Sequence, residues 1–268
     1  MNIIVEGKKM DKEFDEFIKK FKRISKKRWI KGLGNNTSSN GLTFEKELGK
    51  KADSLYFPDY YGLELKCTSR WSRYPINLFS VTFDGPTFPE INRIVSKYGW
   101  PDKDFKNKKV LFVDVKYNDY TNVKNKYKFK FQFDNEKNKL YLCVYDMNNN
   151  LVEKESFVYT LSIYNHLMLK LQNLVIIYSS KKKENDELWF RYYKMQLYKL
   201  KNFDTFLELI ERDLIKISII SRISKSGYKK GKYANKNIVF FIKKENIELL
   251  FDKVYELDCD VEDNFYIF

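Results

Sequence analysis

In the run FPDYYGLELK (57–66), an aspartate, a glutamate and a lysine are spaced as D-x4-E-x-K. Read as a turn followed by a strand, that spacing has chemical content. Glu64 and Lys66 are two residues apart and so project from one face of the strand, while Leu63 and Leu65 point the other way, into a core. Asp59 precedes the strand, beyond Gly62, on a turn able to fold it back beside Glu64. Two carboxylates a few ångströms apart repel unless a cation lies between them. Oxygen ligands of this kind suit Mg²⁺, which keeps waters and also holds substrate phosphate. The Lys66 ammonium is then placed to orient, or help deprotonate, a water attacking phosphorus in line, while the metal neutralises developing charge. An ordinary strand with solvated charges on its wet face has the same spacing, so spacing alone leaves both readings open. The other E-x-K, Glu6 to Lys8, has no room upstream for a partnering aspartate.

The elements that must position these groups are local. A short helix over 42–49 (LTFEKELG) ends at Gly49, a C-cap residue, and carries Glu45, which is placed to add a metal oxygen or to hold Lys66. Glu47 lies two residues on and faces elsewhere. Ahead of it, 25–41 is polar, basic and rich in Gly, Asn and Ser, a loop composition. Residues 10–24 put Phe14, Phe17, Ile18, Phe21 and Ile24 on one helical face. The catalytic-candidate strand spans 61–68, a second strand 77–83, and Pro89 starts a helix over 89–99. From 109 onward strands dominate, with Lys/aromatic alternation at 126–131 that suits a sheet with one wet face. Helices are expected near 160–171, 203–212 and, closing the chain, 244–254. Together these predict one α+β unit with two lobes.

Composition narrows the class. A hydrophobic content of 43% with 17% aromatics excludes wholesale disorder, and no apolar run reaches the length of a membrane span. Three well-separated cysteines and one histidine argue against disulfide scaffolds and zinc sites. With no signal-peptide pattern at the N-terminus, a cytoplasmic protein with reduced thiols is expected. A net charge of +14 steers polyanions in, but the drift of an AT-rich genome toward Lys gives the same surplus, so charge permits nucleic acid without proving it. Three basic clusters are able to follow phosphates: Lys26, Lys27, Arg28 and Lys31; Arg70 and Arg73; and Lys225, Lys229, Lys230 and Lys232. Thr37, Ser38, Ser39, Asn40 and Ser226 interleave as hydrogen-bonding groups. The guanidinium forks of Arg70 and Arg73 match guanine edges. Neutralising about 6–10 phosphates would make binding fall steeply with salt. His166, distant from the carboxylates, reads as structural, Cys67 as buried packing, and Trp189 as core or sheet face with base stacking left open.

The run WIKGLGNNTSSNGLTFEKELGKKADSLYFPDYYGLELKCTSR (29–70) resembles the core of the MvaI/BcnI-type restriction endonucleases, relatives of the MutH mismatch-repair nuclease. The likeness continues through NLFSVTF and INRIVSKYGW. It returns in SRISKSGYKKGKY and NIVFFIKKENIELLFDKV, where that family has a basic SKS-G loop, a strand and a closing helix. It implies a PD-(D/E)xK, MutH-like α+β fold, a mixed sheet flanked by helices with two lobes around a DNA cleft. One domain over 1–268 is expected, with a catalytic core at about 25–120 and a DNA-contacting part at about 213–255. By resemblance, Asp59 and Glu64 are the metal carboxylates, Lys66 the catalytic lysine and Glu45 the helix glutamate of the active site. The implied activity is Mg²⁺-dependent type II cleavage of double-stranded DNA at a short site, leaving 5′-phosphates. The implied enzyme is a monomer or transient dimer, with a cognate DNA methyltransferase as its partner in the system. Some members carry histidines after the catalytic strand and in the C-terminal loop; this chain has Ser80 near the first place and none at the second. A same-fold alternative is a mismatch-repair nicking enzyme, and a different-class alternative is a non-catalytic DNA-binding protein.

Overall fold

Apolar residues three and four apart make the first long element a helix, α1 (Ile3–Lys26), whose Phe17, Phe21 and Ile24 are fully buried. A computed structural model describes residues 3–36, 38–50, 57–227 and 229–262. The chain divides into two compact units and passes between them four times. The first unit holds 1–74, 169–201 and 251–268; the second holds 75–168 and 202–250. The stretch 25–120 is therefore divided at Tyr74 between the two.

After α1 come β1 (Ile30–Lys31), α2 (Ser39–Glu47) and β2 (Glu64–Ser69). The second unit then takes up β3 (Ile76–Val81), α3 (Glu90–Tyr98), β4 (Trp100–Pro101) and β5 (Lys109–Val115). Short strands follow in it: β6 (Thr121–Val123), β7 (Tyr127–Asp134), β8 (Lys139–Tyr145), β9 (Leu151–Glu153) and β10 (Phe157–Tyr159). Helix α4 (Thr160–Leu171) leads back to a long hairpin, β11 (Asn173–Glu184) and β12 (Glu187–Leu200). The second unit resumes with α5 (Phe203–Glu211), β13 (Ile215–Ile223), β14 (Tyr233–Ile242) and α6 (Ile247–Leu250). β15 (Phe251–Asp258) and α7 (Cys259–Glu262) return to the first.

In the first unit a mixed five-stranded sheet runs β1-β12-β11-β2, with β15 also on β12. β2 lies parallel to β11, Glu64 opposite Leu174 and Ser69 opposite Ser179, and the other pairings are antiparallel. Leu174–Ile177 of β11 is a continuous apolar run buried on both faces, the signature of a strand inside a layered sheet. Helices α1 and α2 cover one face: Phe17, Phe21, Phe44 and Leu48 pack with Leu63, Leu65, Val175, Ile177 and Tyr192. Asn185 and Asp186, both at positive φ, make the two-residue turn between β11 and β12.

The helix expected at 244–254 stops at Leu250, and Phe251–Asp258 is strand. The reason is tertiary. β12 spans 14 residues, and from Lys194 to Leu200 its second edge would expose bare N–H and C=O groups without β15.

The second unit carries two antiparallel sheets, β3-β14-β13-β5-β4 and β10-β8-β7-β6 with β9 on β8. Phe79, Phe206 and Phe240 pack together in it, and His166 stacks on Phe79 while its Nδ1 bonds the Ser162 carbonyl at 2.7 Å. His166 is thus a packed, anchored ring. A buried ionic network joins α3 to β9. Glu90 and Glu153 accept from Arg93, which reaches Glu153 at 2.5 Å; Ser156 and Thr87 also bond Glu90, and Lys97 and Tyr98 bond Glu153 at 2.6 and 2.7 Å. Burial pushes the Glu153 carboxyl up, but these donors outweigh it and hold it at about 2. No helix among the described residues is long and apolar enough to cross a membrane.

Candidate active site

Two local devices shape the candidate site. The first is a tight turn. Tyr60 and Leu63 exchange both backbone bonds, at 2.9 and 2.8 Å, around Tyr61 and Gly62, which have φ of 43° and 81°. Positive φ at both central positions defines the hairpin turn whose twist suits a following strand. Glycine takes such a φ freely, and Gly62 is what makes the reversal so short. The reversal brings Asp59 back alongside β2, where its Oδ2 accepts from the Leu65 amide at 3.0 Å.

The second device ends α2. Gly49, at φ 81°, gives its N–H to Lys46, and Lys50 gives its N–H to Glu45, at 2.9 Å each. This is the paired closure that follows a left-handed glycine at a helix end. It leaves Lys50 outside the helix, with its Nζ donating to Asp59 Oδ1 at 2.8 Å. Nothing in the D-x4-E-x-K spacing pointed to Lys50; the signal was the cap itself, since a residue just past a helix-ending glycine leaves along a fixed path.

From Leu63 into β2, Leu63 and Leu65 enter the core while Glu64 and Lys66 take the opposite side, as period two requires. Glu64 is 2% exposed. Its Oε1 accepts from Lys66 Nζ at 2.7 Å, and its Oε2 is buried with no hydrogen-bond partner. A buried carboxylate oxygen without a donor costs free energy, and a native chain that keeps one generally has a use for it. Two carboxylates on one turn and strand are therefore each paired with an ammonium group, Glu64 with Lys66 of the same strand and Asp59 with Lys50 from the end of α2. Cys67, next along β2, has its thiol pushed well up by burial and, beyond that, by the negative charges of Glu45 and Asp59, which disfavours the nucleophilic thiolate. Among the described residues no three His, Cys, Asp or Glu side chains converge tightly enough to cage a metal. The fit is instead to a hard cation that takes two protein carboxylates and fills its shell from water and phosphate, as Mg²⁺ does. Glu64 Oε2 and Asp59 supply hard oxygen donors of that type.

The other sequence-predicted positions divide by whether their side chains are already engaged. Ser39 is buried and hydrogen-bonds Asn36; Asn40 bonds Ser179 at 2.9 Å and its carbonyl accepts from Tyr192 at 2.7 Å. Ser39 thereby holds the preceding loop to the start of α2, and Asn40 joins α2 to the β11–β12 hairpin. Ser38 is exposed and bonds Asn36, and Thr37 lies outside the described residues. Lys27 pairs with Glu47 at 2.5 Å and Lys31 with Glu187 at 2.6 Å, while Lys26 and Arg28 are exposed. Arg70 and Arg73 are exposed immediately after β2. In the second unit, the loop between β13 and β14 is closed by Ser224–Lys232 and Gly231–Ser224 bonds, and Ser226, Lys229, Lys230 and Lys232 stand exposed on it. Lys225 of that loop is drawn back onto Asp102 and Asp104. Trp189 is half-buried, with Lys182 over its ring.

The model of the MvaI/BcnI restriction endonuclease family matches residues 18–251. Among solved structures, the chain is similar to the restriction endonuclease MvaI in complex with its cognate DNA substrate. The two are 24% identical, over 90% of this chain and 96% of that one, with a TM-score of 0.83. It is also similar to MvaI in the absence of DNA, at 20% identity and the same coverages, with a TM-score of 0.56. At these identities the likeness carries the fold. No curated protein matches.

Proposed function

Because the chain belongs to the MvaI/BcnI restriction endonuclease family and is a type II restriction endonuclease, we propose that Asp59, Glu64 and Lys66 form its hydrolytic centre. The substrate is double-stranded DNA, cut at a short specific site to leave 5′-phosphate and 3′-hydroxyl ends. Asp59 and Glu64 would hold Mg²⁺. When bound, that ion neutralises charge developing on the phosphoryl oxygens and makes water more acidic. Lys66, held on Glu64 at 2.7 Å, orients the attacking water and offsets negative charge on the phosphate. Lys50 and the Leu65 amide grip the two Asp59 oxygens and fix that carboxylate's direction. Glu45, in the last turn of α2 and near enough to act on the Cys67 thiol, would supply a further metal oxygen or hold Lys66. Arg70, Arg73, Lys229, Lys230 and Lys232 contact phosphates.

The observation that carries this reading is the partnerless, buried Glu64 Oε2 beside a lysine and a turn that returns a second carboxylate. As a restriction enzyme it would work in the cytoplasm as a monomer or transient dimer, alongside a DNA methyltransferase that protects the host sites. The test is digestion of methylated and unmethylated plasmid with Mg²⁺, followed by sequencing of the ends. A single short consensus with 5′-phosphates is expected. Asp59→Ala should abolish cutting while leaving binding in Ca²⁺ intact; undiminished Mg²⁺-dependent cutting by that variant would overturn the site.

A further inference from the structure

Five residues beyond Lys66 in the chain, and just past the end of β2, the indole of Trp71 is 84% exposed; Tyr74, three residues on, is 82% exposed. Large aromatics are ordinarily drawn inside, and this chain buries many of its phenylalanines completely. The segment is nonetheless held in place by its backbone. The Arg70 amide continues the β2–β11 ladder onto Ser179 at 3.0 Å, the Ser72 amide closes a turn on Ser69 at 3.0 Å, and the Tyr74 amide bonds the Ser72 hydroxyl at 3.3 Å. Arg70 lies over one face of the indole at 5.3 Å. Among the described residues neither Arg70 nor Arg73 has a carboxylate within ion-pair distance. An anchored aromatic ring with one guanidinium over its face and a second exposed arginine two residues on complements a ligand that offers both flat rings and negative charge.

We propose that Trp71 stacks on a base of the bound duplex beside the cleaved bond, with Arg70 and Arg73 on the flanking phosphates. The inference rests on the nuclease reading above and adds a base contact to it. The reach is right: a strand rises about 3.3 Å per residue, so Ser69 stands about 10 Å from Lys66. Measured along a duplex at about 3.4 Å per base pair, that span corresponds to about three steps from the attacked phosphate. In a duplex both faces of a base are already stacked, so the ring has to wedge into a base step, at an unstacking cost that the aromatic contact and the arginine cations offset.

The probe is a duplex oligonucleotide carrying the site mapped by end sequencing, with 2-aminopurine placed in turn at each position within three base pairs of the cut, titrated in Ca²⁺. Wild-type protein should change the emission at one of these positions. Trp71→Ala should lose that change and weaken binding by about 10- to 100-fold, whereas Trp71→Phe should keep most of both. Because the ring is solvent-exposed, the thermal midpoint of Trp71→Ala should match wild type, which separates a lost contact from a misfolded protein. If wild type cuts the duplex but Trp71→Ala binds and perturbs it equally well, the base contact is wrong and the nuclease reading stands. If wild type neither binds nor cuts any duplex, both fall. If Trp71→Ala instead turns a dimer into a monomer with unchanged DNA affinity, this face joins two copies of the chain and the proposal is overturned.

Discussion

Two clusters in this molecule use nearly the same parts and do opposite things with them. On α3 and β9, Glu90 and Glu153 meet Arg93 and Lys97, and every carboxylate oxygen receives at least one donor. On the turn and strand at 59–66, Asp59 and Glu64 meet Lys50 and Lys66, yet one buried oxygen of Glu64 receives none. A network in which every buried oxygen already receives a donor presents no unmet demand for a cation, and removing a member exposes a buried charge. An incomplete network retains electrostatic demand at one atom, which a cation can answer. The number of charges is similar; the difference lies in how many acceptors are filled.

The comparison can be broken most directly at Glu64. Glu64→Gln should lower cleavage by about 10³-fold or more, as loss of a transition-state electrostatic group does, while leaving the metal-free melting temperature unchanged or raised. Added Mg²⁺ should raise the wild-type melting temperature through mass action and fail to do so in Glu64→Gln; an equal rise in both, read by calorimetry, would remove Glu64 from the metal. Next in size is the closed network. Arg93→Ala leaves Glu90 and Glu153 short of their shared cation and should cost about 3 kcal/mol in urea unfolding, with cleavage per folded molecule retained. A stability-neutral Arg93→Ala would show that the two clusters are not the contrast they seem from their donors.

Lys50→Ala should have an intermediate effect on cleavage, a loss of about 10- to 100-fold as for other groups that orient a ligand, with little change in stability. Single-turnover rates would read it. The smallest effect is in acid. The folded Glu153 carboxyl is held at about 2, below its ordinary value of 4.5, so the folded state binds its proton less readily than the unfolded chain. Its contribution is complete above pH of about 4.5 and drains away as pH falls toward 2. Stability measured across that window should decline in wild type and more gently in Glu153→Gln.

What the sequence makes legible is what short-range geometry controls. Asp59, Glu64 and Lys66 are gathered by one turn and one strand, so period two and a glycine suffice to bring them close. Gly49 likewise marks the end of α2. The family resemblance extends this to the fold, and the match over 18–251 agrees with it. Contacts between distant segments are not readable in this way. Asn40 meets Ser179 across 139 residues and Arg93 meets Glu153 across 60, and neither partner carries a local sign of the other. The helix expected over 244–254 runs into Phe251–Val254 of β15 because the strand character there comes from the edge of β12, not from local alternation. Lys50 lies between these cases, since its cap is local but its partner is set by the turn.

The threading of the first unit has a consequence for the living cell. The sheet that carries Glu64 includes β15, so the ribosome has to release residues as late as Asp258 before that sheet is whole. A half-made chain thus lacks β15, and the first unit completes its sheet only after residues 202–250 of the second have been made.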